Sequence, residues 1–208
     1  MRFLWISGWS VPPTWLASQA RDAFPEATHT AVPPSEANAG IAQEKFDVLG
    51  GYSLGALWLL MHQKDFPENV PVVLLAPIIS LVAEYGDGGR VALAQLRLQR
   101  RRFRQQAKAS IEDFYRHSGL ENILPTVGEL SNEQIAALDT ELSWLEEWRA
   151  AVPPPKNWRG FVGREDPLLD AEVLQGKWPA LRLVSQAGHA PGPLLRAAAQ
   201  KFQVKGPR

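Results

Sequence analysis

Short apolar runs alternate with amphipathic stretches along most of this chain. Residues 3–6 are continuously apolar and predict a buried strand, which breaks at Ser7-Gly8-Trp9-Ser10. Pro12-Pro13 can open a helix, because proline's fixed φ suits the first turn. Trp15, Leu16, Ala20 and Ala23 then give the stretch 14–24 one apolar side. Residues 27–32 read as a short strand ended by Pro33-Pro34, and Ser35 is expected to cap a brief helix over 36–45. A strand is predicted over 46–50 and a helix over 54–63. The run at 70–77 is rich in valine and leucine, as a parallel strand covered on both faces requires.

From about residue 80 to residue 152 the strand signal vanishes. One helix is predicted over 89–118, with Leu93, Leu96, Phe103, Ala107 and Phe114 at helical spacing. A second follows Ser131-Asn132-Glu133-Gln134, a serine and glutamine spaced as a capping box, and runs to about 149. Pro153-Pro154-Pro155 stops it; strands are expected at 158–162 and 181–185, and a last helix at 193–202. This alternation outlines an α/β fold, a doubly wound and mostly parallel sheet with helices on both faces and a helical lid inserted at about 81–152.

Composition narrows the chemistry. The 208 residues suit one domain with a sizeable core. There is no cysteine, which excludes disulfides, thiolate catalysis and cysteine-ligated metals. Formal net charge is zero, so attraction to a charged partner needs a local patch. No apolar run reaches the roughly 18 to 20 residues of a membrane span, and the N-terminus lacks a signal-peptide pattern. A cytoplasmic protein, monomeric and without a membrane role, is expected. The eight tryptophans are expected to line an apolar pocket in part.

The segment Gly50-Gly51-Tyr52-Ser53-Leu54-Gly55 joins a predicted strand to a predicted helix and contains G-x-S-x-G, the pattern of a nucleophile elbow. A serine hydroxyl needs a base within hydrogen-bond reach. Of His29, His62, His117 and His189, only His189 lies in a loop just past a late strand, where α/β enzymes place their sites. A carboxylate must then orient the imidazole. Asp166, three residues after the glycine ending the previous strand, is the chosen acid, with Glu165 and Asp170 as rivals. Backbone N–H groups of Leu54 and Trp9 are placed to form an oxyanion hole, and the Trp9 indole is expected to wall the acyl chain as well. Nothing in the pattern calls for a metal or organic cofactor.

These motifs resemble those of α/β-hydrolase carboxylesterases, in particular the pimeloyl-acyl-carrier-protein methyl ester esterases of biotin synthesis. The resemblance rests on Gly8-Trp9-Ser10 with Trp15 nearby, on Gly51-Tyr52-Ser53-Leu54-Gly55, on the Gly-x-x-Asp turn from Gly163 to Asp166, and on Gly188-His189-Ala190-Pro191. It implies an α/β-hydrolase fold, the catalytic set Ser53, Asp166 and His189, and oxyanion donors at Trp9 and Leu54. Two departures stand out: Ser7 occupies a position where histidine is usual, and the segment 27–45 is abbreviated. The chain also starts at the third strand of the common fold, so a sheet of about six strands is implied.

One feature concerns the substrate. Arg90, Arg97, Arg100, Arg101, Arg102, Arg104 and Lys108 fall within 90–108 with no acid between them. Arg97, Arg101, Arg104 and Lys108 recur at three- and four-residue steps and predict one basic stripe, suited to an acidic acyl carrier protein and its phosphopantetheine phosphate. The competing expectation is a solvated face paired with the acids of 112–147. Nucleic acid is disfavoured because only Phe103 interleaves the basic run. The expected activity is serine carboxylesterase hydrolysis of a pimeloyl methyl ester held on acyl carrier protein. The alternatives are a general small-molecule carboxylesterase or thioesterase, and a non-catalytic binding protein of the same fold.

Overall fold

The computed structural model of the protein describes residues 1–126 and 128–202. Six strands, β1 (Arg2–Ile6), β2 (Thr28–Val32), β3 (Val48–Tyr52), β4 (Val72–Leu75), β5 (Trp158–Gly163) and β6 (Arg182–Val184), form one sheet in the order β2-β1-β3-β4-β5-β6. Every pairing is parallel. The centre is apolar on both faces: Val72, Val73, Leu74 and Leu75 of β4 are fully buried, and each such side chain contributes about 2 kcal/mol of transfer free energy. Helices α1 (Pro13–Ala23), α2 (Ala37–Gln43) and α3 (Leu54–Met61) connect the first strands. Chain progression reverses between the β1–β2 and β2–β3 connections, so right-handed crossovers place α1 on one face and α2 and α3 on the other. That reversal opens a crevice beyond the carboxyl ends of β1 and β3. The loop Ser7 to Ser10 and the turn at Ser53 both emerge there.

Helices α4 (Leu93–Gln105), α5 (Ala107–Ser118) and α6 (Asn132–Glu147) lie between β4 and β5. The continuous helix expected over 89–118 is therefore two helices, broken at Gln106 (φ −145°, ψ 65°). Folding back lets Phe103 of α4 and Ile111 and Tyr115 of α5 all be buried. The hairpin is closed by Gln99 Nε2 donating to the Ser110 carbonyl (2.9 Å) and by Arg102 pairing with Asp113 (2.8 Å). The capping box of α6 is present: Ser131 Oγ accepts from Gln134 N (3.2 Å) and Gln134 Oε1 from Ser131 N (2.9 Å). Ser35 caps nothing; it lies in a short 3₁₀ turn, Pro34–Glu36, that precedes α2.

A seventh helix, α7 (Ala171–Lys177), has no counterpart among the expected elements, and α8 (Pro191–Phe202) closes the described chain and packs on α1. Asp170 caps α7 by accepting from Val173 N (3.1 Å). None of the described helices is long and apolar enough to cross a membrane.

Candidate active site

The sequence of the elbow explains its shape. Ser53 sits at φ 54° and ψ −114°, a conformation that costs a non-glycine residue about 1–3 kcal/mol and persists only where its surroundings enforce it. They do so through close packing. A Cβ on Gly55 would stand 2.1 Å from the Ile6 carbonyl oxygen, and one on Gly51 would stand 2.8 Å from Ala56 Cα. Only glycine on both sides lets α3 leave β3 so tightly against β1.

Three distant residues meet at this turn. His189 Nε2 lies 2.9 Å from Ser53 Oγ, and His189 Nδ1 lies 2.8 Å from Asp166 Oδ2. A carboxylate can only accept, so Nδ1 carries the ring proton and Nε2 is left to accept from the serine hydroxyl. All three are buried. Asp166 is fixed from its other oxygen: Oδ1 accepts from Leu168 N (2.9 Å) and Leu169 N (3.1 Å). The rivals do other things, since Glu165 is exposed and Asp170 caps α7. The remaining histidines are occupied elsewhere. His29 lies between the Trp5 indole and the Phe24 carbonyl, while His62 and His117 bond the carbonyls of Trp58 and Asp113 on their own helices.

The loop after β1 presses on Ser53. A Cβ on Gly8 would come within 3.3 Å of Ser53 Cβ and 3.2 Å of the Tyr52 ring. The backbone N–H groups of Trp9 and Leu54 have no acceptor among the described residues. The Trp9 indole, expected as an acyl-chain wall, instead anchors the inserted helices. Its Nε1 donates to the Leu138 carbonyl of α6 (3.0 Å), and its ring meets Phe103 of α4 and Phe114 of α5 edge-on. Tyr115 Oη of α5 donates to the Ser10 carbonyl (2.6 Å).

A cavity of about 900 Å³ opens beside this loop, walled by Ser7, Gly8 and Ser10, by 31–36, and by α5 and α6. Ser53 does not line it, but Gly8 touches both. No tryptophan lines it either, contrary to expectation; five of the eight are buried in the core. At Ser7, the position where the resemblance leads one to expect histidine, the N–H donates to the Val32 carbonyl (2.9 Å) while the buried Oγ has no partner among the described residues.

The basic stripe does not hold together. Lys108 lies past the Gln106 break on α5, in a different groove bordered by Glu112 and Glu129. Arg104 is bidentate to Asp139 of α6 (2.7 and 2.8 Å), which Arg100 shares (3.1 Å). Asp139 is accordingly held below the usual carboxylate range, first by Arg104. Only Arg97 and Arg101 of the four are left on α4 without an ion pair among the described residues, both exposed.

Sequence reasoning missed three contributors. Tyr52 Oη donates to the His189 carbonyl (3.1 Å), fixing the histidine loop. Arg90 donates to the Asp166 carbonyl (3.1 Å) and to Asp170 Oδ2 (3.2 Å), tying the start of the insertion to the acid's loop. Glu141 of α6 is 1% exposed, and burial, with Glu36 adding a smaller repulsion, pushes its carboxyl up to about 7. The signal for Glu141 was present: it falls three residues after Leu138 and four before Leu145, an acid on the apolar stripe of its helix.

No family model matches this chain, and no curated protein sequence matches it. Solved structures do. The thioesterase RedJ of the prodiginine pathway in Streptomyces coelicolor is 13% identical, with a TM-score of 0.58 over 97% of this chain and 90% of its own. The bottromycin epimerase BotH, solved with bottromycin A2, is 12% identical, with a TM-score of 0.68 over 97% and 88%. BioG from Haemophilus influenzae is 12% identical, with a TM-score of 0.56 over 90% and 88%. With six parallel strands in this order and a glycine-flanked serine turn between β3 and α3, these likenesses show that the chain has the α/β-hydrolase fold.

Proposed function

We propose that the protein is a serine hydrolase of carboxylic esters or thioesters. What carries this reading is the continuous relay from Ser53 Oγ through His189 to Asp166, at 2.9 and 2.8 Å, on a strained and buried elbow. His189 Nε2 takes the Ser53 proton as Oγ attacks the carbonyl carbon. Asp166 stabilises the imidazolium that results. The tetrahedral oxyanion is received by the N–H groups of Leu54, at the positive end of α3, and of Trp9. The imidazolium protonates the departing alkoxide or thiolate, leaving an acyl-enzyme on Ser53. Water, deprotonated by His189, then releases the free acid. A complete relay of this kind argues against a non-catalytic binding protein. Ser53→Ala is expected to lower turnover of a short p-nitrophenyl ester by at least roughly a thousandfold with an unchanged circular-dichroism spectrum. Undiminished turnover would remove the mechanism.

Within that class, the finer reading is hydrolysis of the methyl ester of a pimeloyl chain held on acyl carrier protein. It is supported by the four sequence motifs and by the two unpaired arginines of α4. Docking would then rest on Arg97 and Arg101, since Arg104 is neutralised by Asp139 and Lys108 faces elsewhere. A second reading, hydrolysis of free small-molecule esters or thioesters, is favoured by the acidic character of the cavity. Arg97→Glu with Arg101→Glu separates them: selective loss on the carrier-bound ester supports the first, and equal activity on bound and free esters supports the second.

A further inference from the structure

The walls of the cavity beside Gly8 carry Glu36, Glu129, Glu133 and Glu141 and, among the described residues, no lysine, arginine or histidine. Three polar atoms of these wall residues, Ser7 Oγ, Ser10 Oγ and Glu141 Oε2, are buried without a hydrogen-bond partner among the described residues. Ser7 is 0% and Glu141 1% exposed. Ser35 favours the charged form of Glu141 through both its N–H, which donates to Oε1 (3.1 Å), and its hydroxyl, but no donor lies within hydrogen-bond geometry of Oε2 among the described residues. Burying a carboxylate with no cation beside it and one oxygen without a donor is costly. The Ser7 and Ser10 hydroxyls can donate or accept, so the sign of the ligand is set by Glu141, whose Oε2 is complemented by a group that brings N–H donors and positive charge. A ligand ending in a carboxylate or phosphate would add repulsion from four acids. The volume is that of a small-molecule site.

We infer that this cavity is the substrate-recognition pocket, and that it selects esters or thioesters whose non-reacting end carries a protonated amine. The ammonium pairs with Glu141 Oε2 and donates to the Ser7 and Ser10 hydroxyls, while the acyl chain passes Gly8 to reach Ser53. Equal-length substrates ending in a carboxylate are rejected. The inference rests on the hydrolase reading above and names its substrate class. It takes the second, free-substrate form of that reading, since a pimeloyl chain on a carrier ends in no amine and the carrier's phosphate has no place in the cavity.

The test uses p-nitrophenyl esters of an ω-amino acid, an unsubstituted alkanoic acid and a dicarboxylic acid, all of one chain length. The wild-type protein is expected to turn over the amino ester with kcat/KM roughly ten- to a hundredfold above the unsubstituted one, the range of one charge-assisted hydrogen bond. The carboxylate-ended ester should be poorer still. Glu141→Gln should bring the amino-to-unsubstituted ratio towards one, and Ser7→Ala should lower it by a smaller factor. Equal turnover of the three esters, or preference for the carboxylate, by protein that a fluorophosphonate labels at Ser53 overturns the inference and leaves the hydrolase reading standing. Should no ester be turned over and Ser53 stay unlabelled, the hydrolase reading fails instead. Calorimetry with an alkylammonium ion then still decides the pocket: binding lost in Glu141→Gln upholds it, and no binding to the wild type refutes it.

Discussion

Glu141→Gln probes both the pocket and the stability of the fold. In the unfolded chain this carboxyl ionises near its ordinary value of 4.5, whereas in the folded protein burial holds the proton on until about pH 7. Between those values the unfolded state has already lost a proton that the folded state keeps. Stability therefore falls as pH rises from about 4.5 to about 7, and stays lowered above that. At about 1.4 kcal/mol per pH unit of displacement, the ionised carboxylate costs the fold roughly 3 kcal/mol at pH 8. Glutamine keeps the shape and an acceptor for Ser35 N, and removes the charge. Its own unpartnered N–H₂ offsets some of the gain, about 1–2 kcal/mol. Urea denaturation at pH 8 should show Glu141→Gln more stable than the wild type by about 1–2 kcal/mol. Below about pH 3.5, where the carboxyl is protonated in the folded and the unfolded chain alike, the advantage should vanish. A difference that does not vary with pH, or a loss of stability at pH 8, would refute the assignment of Glu141 as an uncompensated buried acid. A stabilising substitution that also abolishes discrimination between esters is what a functional residue kept at a cost to the fold should show.

Other perturbations test the elbow and its supports. Gly55→Ala forces a Cβ into the Ile6 carbonyl oxygen, 2.1 Å away; a loss of several kcal/mol in the unfolding free energy, or failure to fold, is expected on denaturation. Arg90→Met frees the Asp166 carbonyl and Asp170 without touching the relay, and should lower kcat severalfold with KM unchanged in steady-state assays. Ser131→Ala removes the α6 cap and should cost about 1 kcal/mol by urea titration, leaving the kinetics near wild type.

Strand positions were the most legible part of the chain, because a strand buried on both faces needs an unbroken apolar run and β3 and β4 each have one. The elbow was legible for a related reason: the two glycines are dictated by backbone contacts made within a few residues of the turn. Asp166 could be chosen from its distance past the end of β5, although its decisive property, the Leu168 and Leu169 N–H groups that hold its second oxygen, has no sequence signature. The break at Gln106 was not legible, since the apolar period of α4 runs on into α5 without interruption. Nor was the fate of the arginines: Asp139 lies 35 residues from Arg104 and meets it only after α6 packs on α4. Trp9 was placed in the right loop with the wrong task for its indole, because a long-range acceptor such as the Leu138 carbonyl exists only once the inserted helices are in position.

The relay itself is tested most directly by treating the protein with a fluorophosphonate and mapping the adduct by mass spectrometry, alongside His189→Ala. Stoichiometric modification at Ser53, abolished when the imidazole is removed, is the expected result. An unmodified Ser53, or one that reacts equally well without His189, would contradict an activated hydroxyl at this turn.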